Sequence, residues 1–331
     1  MRRFLVAGAV TLAAILSTAG GASATPAYNL RVEAPGTTVD PGTFYAVRDP
    51  IGAQRGELQS AGNCVRAPGD IAVGGRTALG LAASAANGSG ALRPLLIVED
   101  SFGKRICRIN GFNETDMPFT GWLYRVNHVA PPLSAELVSI QPTDQVLWVF
   151  ANFGTGANTG DELVLTGPFR AAPGTIQVQV QAVTFDGVVK PAPDGTAVVG
   201  GASPAITAGG VATVAVSERT TLRAVGPGVA PTEIPSNELP LCVLANPQDC
   251  PPVPGKRAVG TNARDNFKGS RGPDRIRTRG GKDKVRVRGG STDRVNCGKG
   301  TDVVIADPTD RTKKCEKVRR KGTSKKAKAK K

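Results

Sequence analysis

Apolar and polar residues alternate with a period of two along much of this chain, and the alternation breaks at Gly, Pro and Asn. Leu30-Arg31-Val32-Glu33-Ala34 and Thr43-Phe44-Tyr45-Ala46-Val47 read as strands around a Pro41-Gly42 turn. A Gly- and Pro-marked stretch carrying Cys64 follows. Residues 77–86 form an Ala/Leu run suited to one helix, stopped by Asn87-Gly88. Strands are then predicted at 95–99, 106–109, 122–126 and 146–150. The order β-β-α-β-β-β-β predicts an α+β domain with a helix on one sheet face. Residues 176–183 alternate cleanly, as in a half-buried antiparallel strand. Short strands at 197–199, 211–216 and 221–225 follow between Gly, Pro and Ser turns. That spacing without helices predicts a β-sandwich. The expected fold class is mainly β and multidomain.

Composition narrows the class of protein. The 331 residues carry a net charge of +15, but residues 256–331 hold 26 basic and 8 acidic side chains, so the rest is slightly acidic. Aromatics are 5% of the chain and there is one His, which excludes a His-rich metal enzyme. Met1-Arg2-Arg3, the apolar run 4–16 and Ala22-Ser23-Ala24 form a basic region, an apolar core and a small-residue cleavage site. Residues 1–24 therefore read as a secretory signal peptide, and residue usage has a bacterial character. No other apolar run reaches spanning length, so no transmembrane segment is expected. All six cysteines follow the cleavage site: Cys64, Cys107, Cys242, Cys250, Cys297 and Cys315. An even count in an exported chain reads as disulfides. Domain order suggests the pairs 64–107, 242–250 and 297–315.

The repeat near the C-terminus is the clearest signal. Asp265, Asp274, Asp283, Asp293 and Asp302 recur at steps of 9, 9, 10 and 9, and Phe267, Ile276, Val285, Val295 and Val304 follow two residues behind. Glycines including Gly272, Gly280, Gly281, Gly298 and Gly300 punctuate the units. This resembles the G-G-x-G-x-D-x-U-x nonapeptide of RTX (haemolysin-type) rolls. The resemblance implies a short parallel β-roll with the apolar residue stacked inward and Ca²⁺ as the cofactor, the candidate ligand positions being Gly272, Asp274, Gly281, Asp283, Asp293 and Asp302. Arg275, Lys282, Lys284 and Arg294 flank these acids. The alternative is that each Asp pairs with a neighbouring Arg and caps its turn without metal.

Gly121-Trp122-Leu123-Tyr124-Arg125-Val126-Asn127 resembles the W-x-Y-x-V-N-G core of the transcobalamin-like C-terminal domain, a family long labelled a domain of unknown function. His128 replaces the final Gly. The resemblance implies a β-grasp-like α+β domain in which Trp122, Tyr124 and Asn127 are ligand-binding candidates. Cobalamin is not carried over, because the chain has no helical barrel. The alternative for the aromatics is core packing. The second region is similar to bacterial immunoglobulin-like repeats, which implies a spacer.

The resulting division is signal peptide 1–24, transcobalamin-C-terminal-like domain 28–166, Ig-like sandwich 167–243, Pro-rich linker 244–255, degenerate RTX-like roll 256–318 and a disordered Lys/Arg tail 319–331. Arg319, Arg320, Lys321, Lys325 and Lys326 are expected to contact a polyanion. No catalytic constellation is present, so no enzyme is expected. Nor is sequence-specific nucleic-acid binding: Phe267 is the only aromatic after 256, which leaves no platform for stacking bases. The expected protein is secreted or envelope-associated. It binds a small ligand or protein partner and is held at the surface by an anionic polymer. The alternatives are a calcium-binding adhesive protein and a secreted hydrolase.

Overall fold

The structure is a computed structural model that describes residues 25–320 apart from 50, 60–62, 101–102, 117–118, 229–230, 252–253 and 289–290. The expected signal peptide and Lys321, Lys325 and Lys326 lie outside the described residues.

The first region contains hairpin β1 (Ala27–Ala34) and β2 (Thr37–Ala46), hairpin β3 (Ile51–Gln59) and β4 (Asn63–Val73), helix α1 (Ala78–Gly88), then β5 (Leu95–Asp100), β6 (Gly103–Ile109), β7 (Phe112–Asn113), β8 (Thr115–Asp116), β9 (Phe119–Val126) and β10 (Gln145–Asn152). They form two sheets, β2-β1-β10-β9-β8 and β4-β3-β5-β6-β7. Both sheets and α1 share one core through Leu30, Val32, Leu79, Leu81, Ile97, Ile106 and Trp148. Ala and Gly make up seven of the eleven residues of the helix, which lets its backbone lie close to both sheets. Thr77 caps it, the hydroxyl accepting the Gly80 N–H at 3.0 Å. Hairpin β3–β4 occupies the stretch that showed no strand pattern in sequence. Gly52, Gly56 and Gly69 interrupt the alternation there, and a bulge between Gln54 and Gly56 shifts the register.

Strand β10 explains its own unbroken apolar run. It pairs in parallel with β1 and antiparallel with β9, so it is central, and Val146 to Ala151 are all buried. A strand covered on both faces has no polar side to display. One face meets α1. The other meets the second region, where Leu147 and Val149 pack on Ile234.

The second region is a sandwich of β11 (Glu162–Thr166), β12 (Arg170–Ala171), β13 (Gly174–Val183), β14 (Val189–Pro191), β15 (Ala197–Val199), β16 (Ala205–Ile206), β17 (Val211–Val216), β18 (Thr220–Val225) and β19 (Leu239–Val243). One sheet runs β11-β13-β14 with β17 on β13, and the other runs β12-β19-β18-β15-β16. Val178, Val180, Val214 and Leu222 face the core between them. Strand β11 pairs with β13, so the sandwich starts before residue 167.

The third region is a two-faced parallel roll. Its strands are β20 (Arg257–Val259), β21 (Asn266–Lys268), β22 (Arg275–Arg277), β23 (Gly280–Gly281), β24 (Lys284–Val287), β25 (Arg294–Asn296), β26 (Lys299–Gly300), β27 (Val303–Ala306), β28 (Arg311–Lys313) and β29 (Lys317–Arg320). One face stacks β20-β22-β25-β28 and the other β21-β24-β27-β29. Phe267, Ile276, Val285, Val295 and Val304 point inward as the repeat predicted, joined by Ala258, Val287 and Ala306. Strand β29 extends into the segment read as tail, because its backbone pairs with β27 through Arg320. The three disulfides are 64–107, 242–250 and 297–315, as domain order suggested, and they fit an oxidising compartment. Among the described residues no helix is long and apolar enough to cross a membrane.

The roll is not a free module. Strand β20 pairs in parallel with β2, Phe44 opposite Ala258 and Tyr45 opposite Val259. The first region's sheet thus continues into the roll as one nine-stranded sheet. Thr25 also bridges Asp265 on the opposite side of the first turn. Phe44 and Ala46 then close the top of the roll core.

Ile276 sits mid-stack and is 4% exposed. Ile276→Ala should cost about 2–5 kcal/mol, and Ile276→Asp more, because it buries an unpaired charge. Denaturant unfolding of the full chain measures this. A loss below about 1 kcal/mol, the range of a surface substitution, would contradict the stacked core.

Candidate polyanion interface

The repeated acids sit inside the roll. Asp265, Asp274, Asp283, Asp293, Asp302 and Asp310 are all buried. Each carboxylate from Asp283 onward accepts a backbone N–H from the preceding turn. Asp283 receives Asp265 N–H (2.8 Å), Asp293 receives Asp274 N–H (2.8 Å), Asp302 receives Asp283 N–H (2.9 Å) and Asp310 receives Asp293 N–H (3.0 Å). Glu316 ends one row by accepting Asp302 N–H at 2.9 Å. In the first units Thr261 and Ser270 add further bonds, donating backbone N–H to Asp265 (2.6 Å) and Asp274 (2.7 Å). These carboxylates therefore tie successive turns together.

One expectation changes. Among the described residues none of these Asp side chains pairs with the flanking Arg or Lys. The reason is period two: the Asp lies at the turn facing in, and the next residue faces out. The glycines are also required by stacking. Gly281 has φ +125° and a Cβ there would lie 2.2 Å from Ala263 O; Gly300 has φ +133° and a Cβ would lie 1.8 Å from Gly281 O. Gly272 is buried and donates its N–H to Ser270 Oγ at 3.1 Å. Among the described residues no group of three or more His, Cys, Asp and Glu side chains converges on a metal position.

What the acid rows position is the outer surface. Register places Arg257, Arg275, Arg294 and Arg311 in one line across β20, β22, β25 and β28. A second line runs Val259, Arg277, Asn296, Lys313. Parallel strands hold neighbouring members about 4.8 Å apart. All four arginines of the first line are exposed. Arg257 meets Glu238 at 3.6 Å. Among the described residues Arg275, Arg294 and Arg311 have no acid within salt-bridge distance. The opposite face adds Lys268, Lys284, Arg286, Lys317 and Arg319, all exposed. A groove of about 610 Å³ runs along the arginine line, walled on its other side by Val39, Tyr45, Ser89 and Ala91 of the first region. Such a flat row of forked cations can hold a linear chain of carboxylates or phosphates along the roll axis.

The other sequence candidates lie elsewhere. Trp122 is buried against Phe150, ring centroids 5.1 Å apart, and donates to Phe112 O at 3.3 Å. Tyr124 packs on Trp148 at 5.3 Å and donates its hydroxyl to Leu133 O. Asn127 has φ +52°, donates Nδ2 to Asp144 Oδ1 at 2.8 Å and accepts Gln145 N–H at 3.0 Å. These three side chains are spent on core and turn. Arg320 is likewise engaged, donating to the carbonyls of Asp307 (2.6 Å) and Asp310 (3.0 Å). It closes the last turn of the roll, whereas Arg319 points outward.

Sequence reading missed a buried charge network between the first region and the sandwich. Arg31 contacts Glu33 at 3.3 Å and Glu162 at 2.9 Å, and Glu162 also meets His128 Nδ1 at 3.0 Å. Arg223 completes it at Glu33. Burial pushes Glu33 up to about 7 despite Arg31 and Arg223. His128 is therefore a turn residue anchored to a buried carboxylate rather than a solvated one. The signal was present in β1: Arg31 and Glu33 occupy the face opposite Leu30 and Val32, so a polar layer had to cover them.

No family model, curated protein or solved structure matches the chain.

Burial also pushes Asp283 up to about 6 and Asp293 up to about 7, and neighbouring acids in the rows add to the rise. Both values exceed the ordinary 3.8, so the folded roll binds more protons than the unfolded chain. Their contribution to stability is complete below about pH 4 and is lost as pH rises through 6–7. Asp293→Asn retains an acceptor for Asp274 N–H and removes the titration. With chelator present, its melting temperature should match wild type below about pH 4 and exceed it near pH 8. A variant that melts lower at both would show that the charge itself stabilises the roll.

Proposed function

We propose that this is an exported modular binding protein, held at the cell envelope by an anionic polymer lying along the arginine line of the roll. The observation that carries this reading is the in-register row Arg257, Arg275, Arg294, Arg311, three of whose members lack an acid partner among the described residues. Three disulfides support an extracellular setting. The sandwich, with its core filled by Val, Ala and Leu, serves as the spacer that braces the first region. The protein acts by binding and carries out no catalysis. The basic segment from Lys321 onward adds non-specific attraction to the same partner.

A calcium-dependent roll is the second reading. It is favoured by two buried oxygens, Asp283 Oδ2 and Asp302 Oδ2, that have no hydrogen-bond partner. The backbone bonds made by the other oxygens favour the metal-free reading.

Arg294→Glu with Arg311→Glu should weaken retention on an immobilised acidic polysaccharide about tenfold, since each lost exposed pair is worth about 0.2–1 kcal/mol and each reversal adds repulsion. Salt should elute wild type progressively, because exposed charges are screened within about 8–10 Å. Deleting 321–331 alone should leave most of the retention. Equal retention of the double variant, with retention lost on removing 321–331, would move the site to the tail.

A further inference from the structure

The arginine line does not end in open solvent. Its first two members, Arg257 and Arg275, also line a cleft of about 710 Å³ at the meeting point of all three regions. Strand β2 contributes Phe44, the sandwich contributes Phe169 and Pro240, and the roll contributes Lys256. Arg294 and Arg311, further along the line, are absent from this lining. A chain lying on the roll thus reaches the cleft at one end, where the sandwich stops it.

The lining has the chemistry of a site for a ring bearing an acid. Lys256, Arg257 and Arg275 face a single carboxylate, Glu238, which is 3.6 Å from Arg257. Lys256 Nζ sits 5.4 Å from the centre of the Phe44 ring, so its position is fixed by a cation–π contact. Phe169 is 41% exposed, and its ring is the open apolar surface of the cleft. The volume lies within the range of small-ligand sites and suits about two sugar rings. A pyranose presents C–H groups that pack on Phe and Pro, while its carboxylate takes a forked guanidinium. Bases of a nucleic-acid strand would need further aromatics along the roll, and the outer line from Arg257 to Arg311 has none.

We propose that this cleft binds the terminal residues of a carboxylate-bearing polysaccharide, so that the protein recognises chain ends while the arginine line holds the adjoining polymer. The inference rests on the polyanion reading above, and its test separates the two. The probes are trigalacturonate, long polygalacturonate, neutral maltotriose and a thymidine trinucleotide, each titrated calorimetrically into the full chain. Wild type should bind trigalacturonate and long polymer, and neither other probe. Phe169→Ala should weaken trigalacturonate about tenfold, and Thr221→Trp, a change at another residue lining the cleft that fills it, should abolish its binding. Circular dichroism melting confirms that each variant is folded. Arg294→Glu with Arg311→Glu should leave trigalacturonate within about twofold, because these residues lie outside the cleft, and weaken the long polymer.

Several results overturn the proposal while the polymer reading stands. One is long polymer binding without trigalacturonate binding. Another is trigalacturonate binding that ignores both cleft variants and falls in the Arg294/Arg311 variant. Trinucleotide binding stronger than trigalacturonate binding would overturn the ligand class. If no acidic saccharide of either length binds, both the cleft proposal and the acidic-polysaccharide reading of the polymer fail.

Discussion

The architecture depends on how two incomplete surfaces satisfy each other. The first region's sheet leaves β2 at an edge, with a row of unpaired backbone groups that invites aggregation. A roll has the mirror problem, because its first turn exposes both backbone and apolar core. Pairing β2 with β20 at Phe44 and Tyr45 relieves both defects at that end, and Phe44 and Ala46 fill the top of the stack. The pairing also fixes the roll axis relative to the rest of the protein. That is why the arginine line leads into the junction cleft, since both are built on strands of the same sheet.

Charge is organised by depth. Inside the roll, acids accept backbone N–H groups and hold one turn to the next, and outside it, cations form lines. The backbone N–H donors favour the ionised form of the inner acids, but burial outweighs them and raises Asp283 and Asp293. The same logic operates between the first region and the sandwich, where Arg31, Glu33, Glu162 and Arg223 are enclosed together. Buried ion pairs contribute little net stability. Their geometry permits one docking arrangement, and leaving any one partner out would strand a buried charge. The network therefore specifies how the sandwich sits on the sheet.

Much of this was legible in the sequence where period and position coincide. The nine-residue step announced the inward stack from Phe267 to Val304, and domain order gave the three disulfides. The arginine line was also written there, one residue before Ala258, Ile276 and Val295. Beside the repeated acids these cations read as Asp partners, which hides their common outward direction. Other features had no local signal. Hairpin β3–β4 is hidden by its glycines and bulge. The pairing of β2 with β20 joins residues over two hundred positions apart, and β2 looks like any edge strand until its partner is known. Trp122 and Asn127, singled out by a family-like motif, contribute to the core and to a turn.

The shared sheet is the central claim, and amide hydrogen exchange tests it most directly. The exchange of residues 37–46 is compared between the full chain and a chain ending at 255, followed by mass spectrometry under identical conditions. The account predicts that amides around Phe44 and Tyr45 are protected in the full chain and exchange markedly faster once β20 is removed, while those of β10 stay protected in both. Equal exchange of 37–46 in the two chains would contradict it, because β2 would then be an unpaired edge and the roll a separate body.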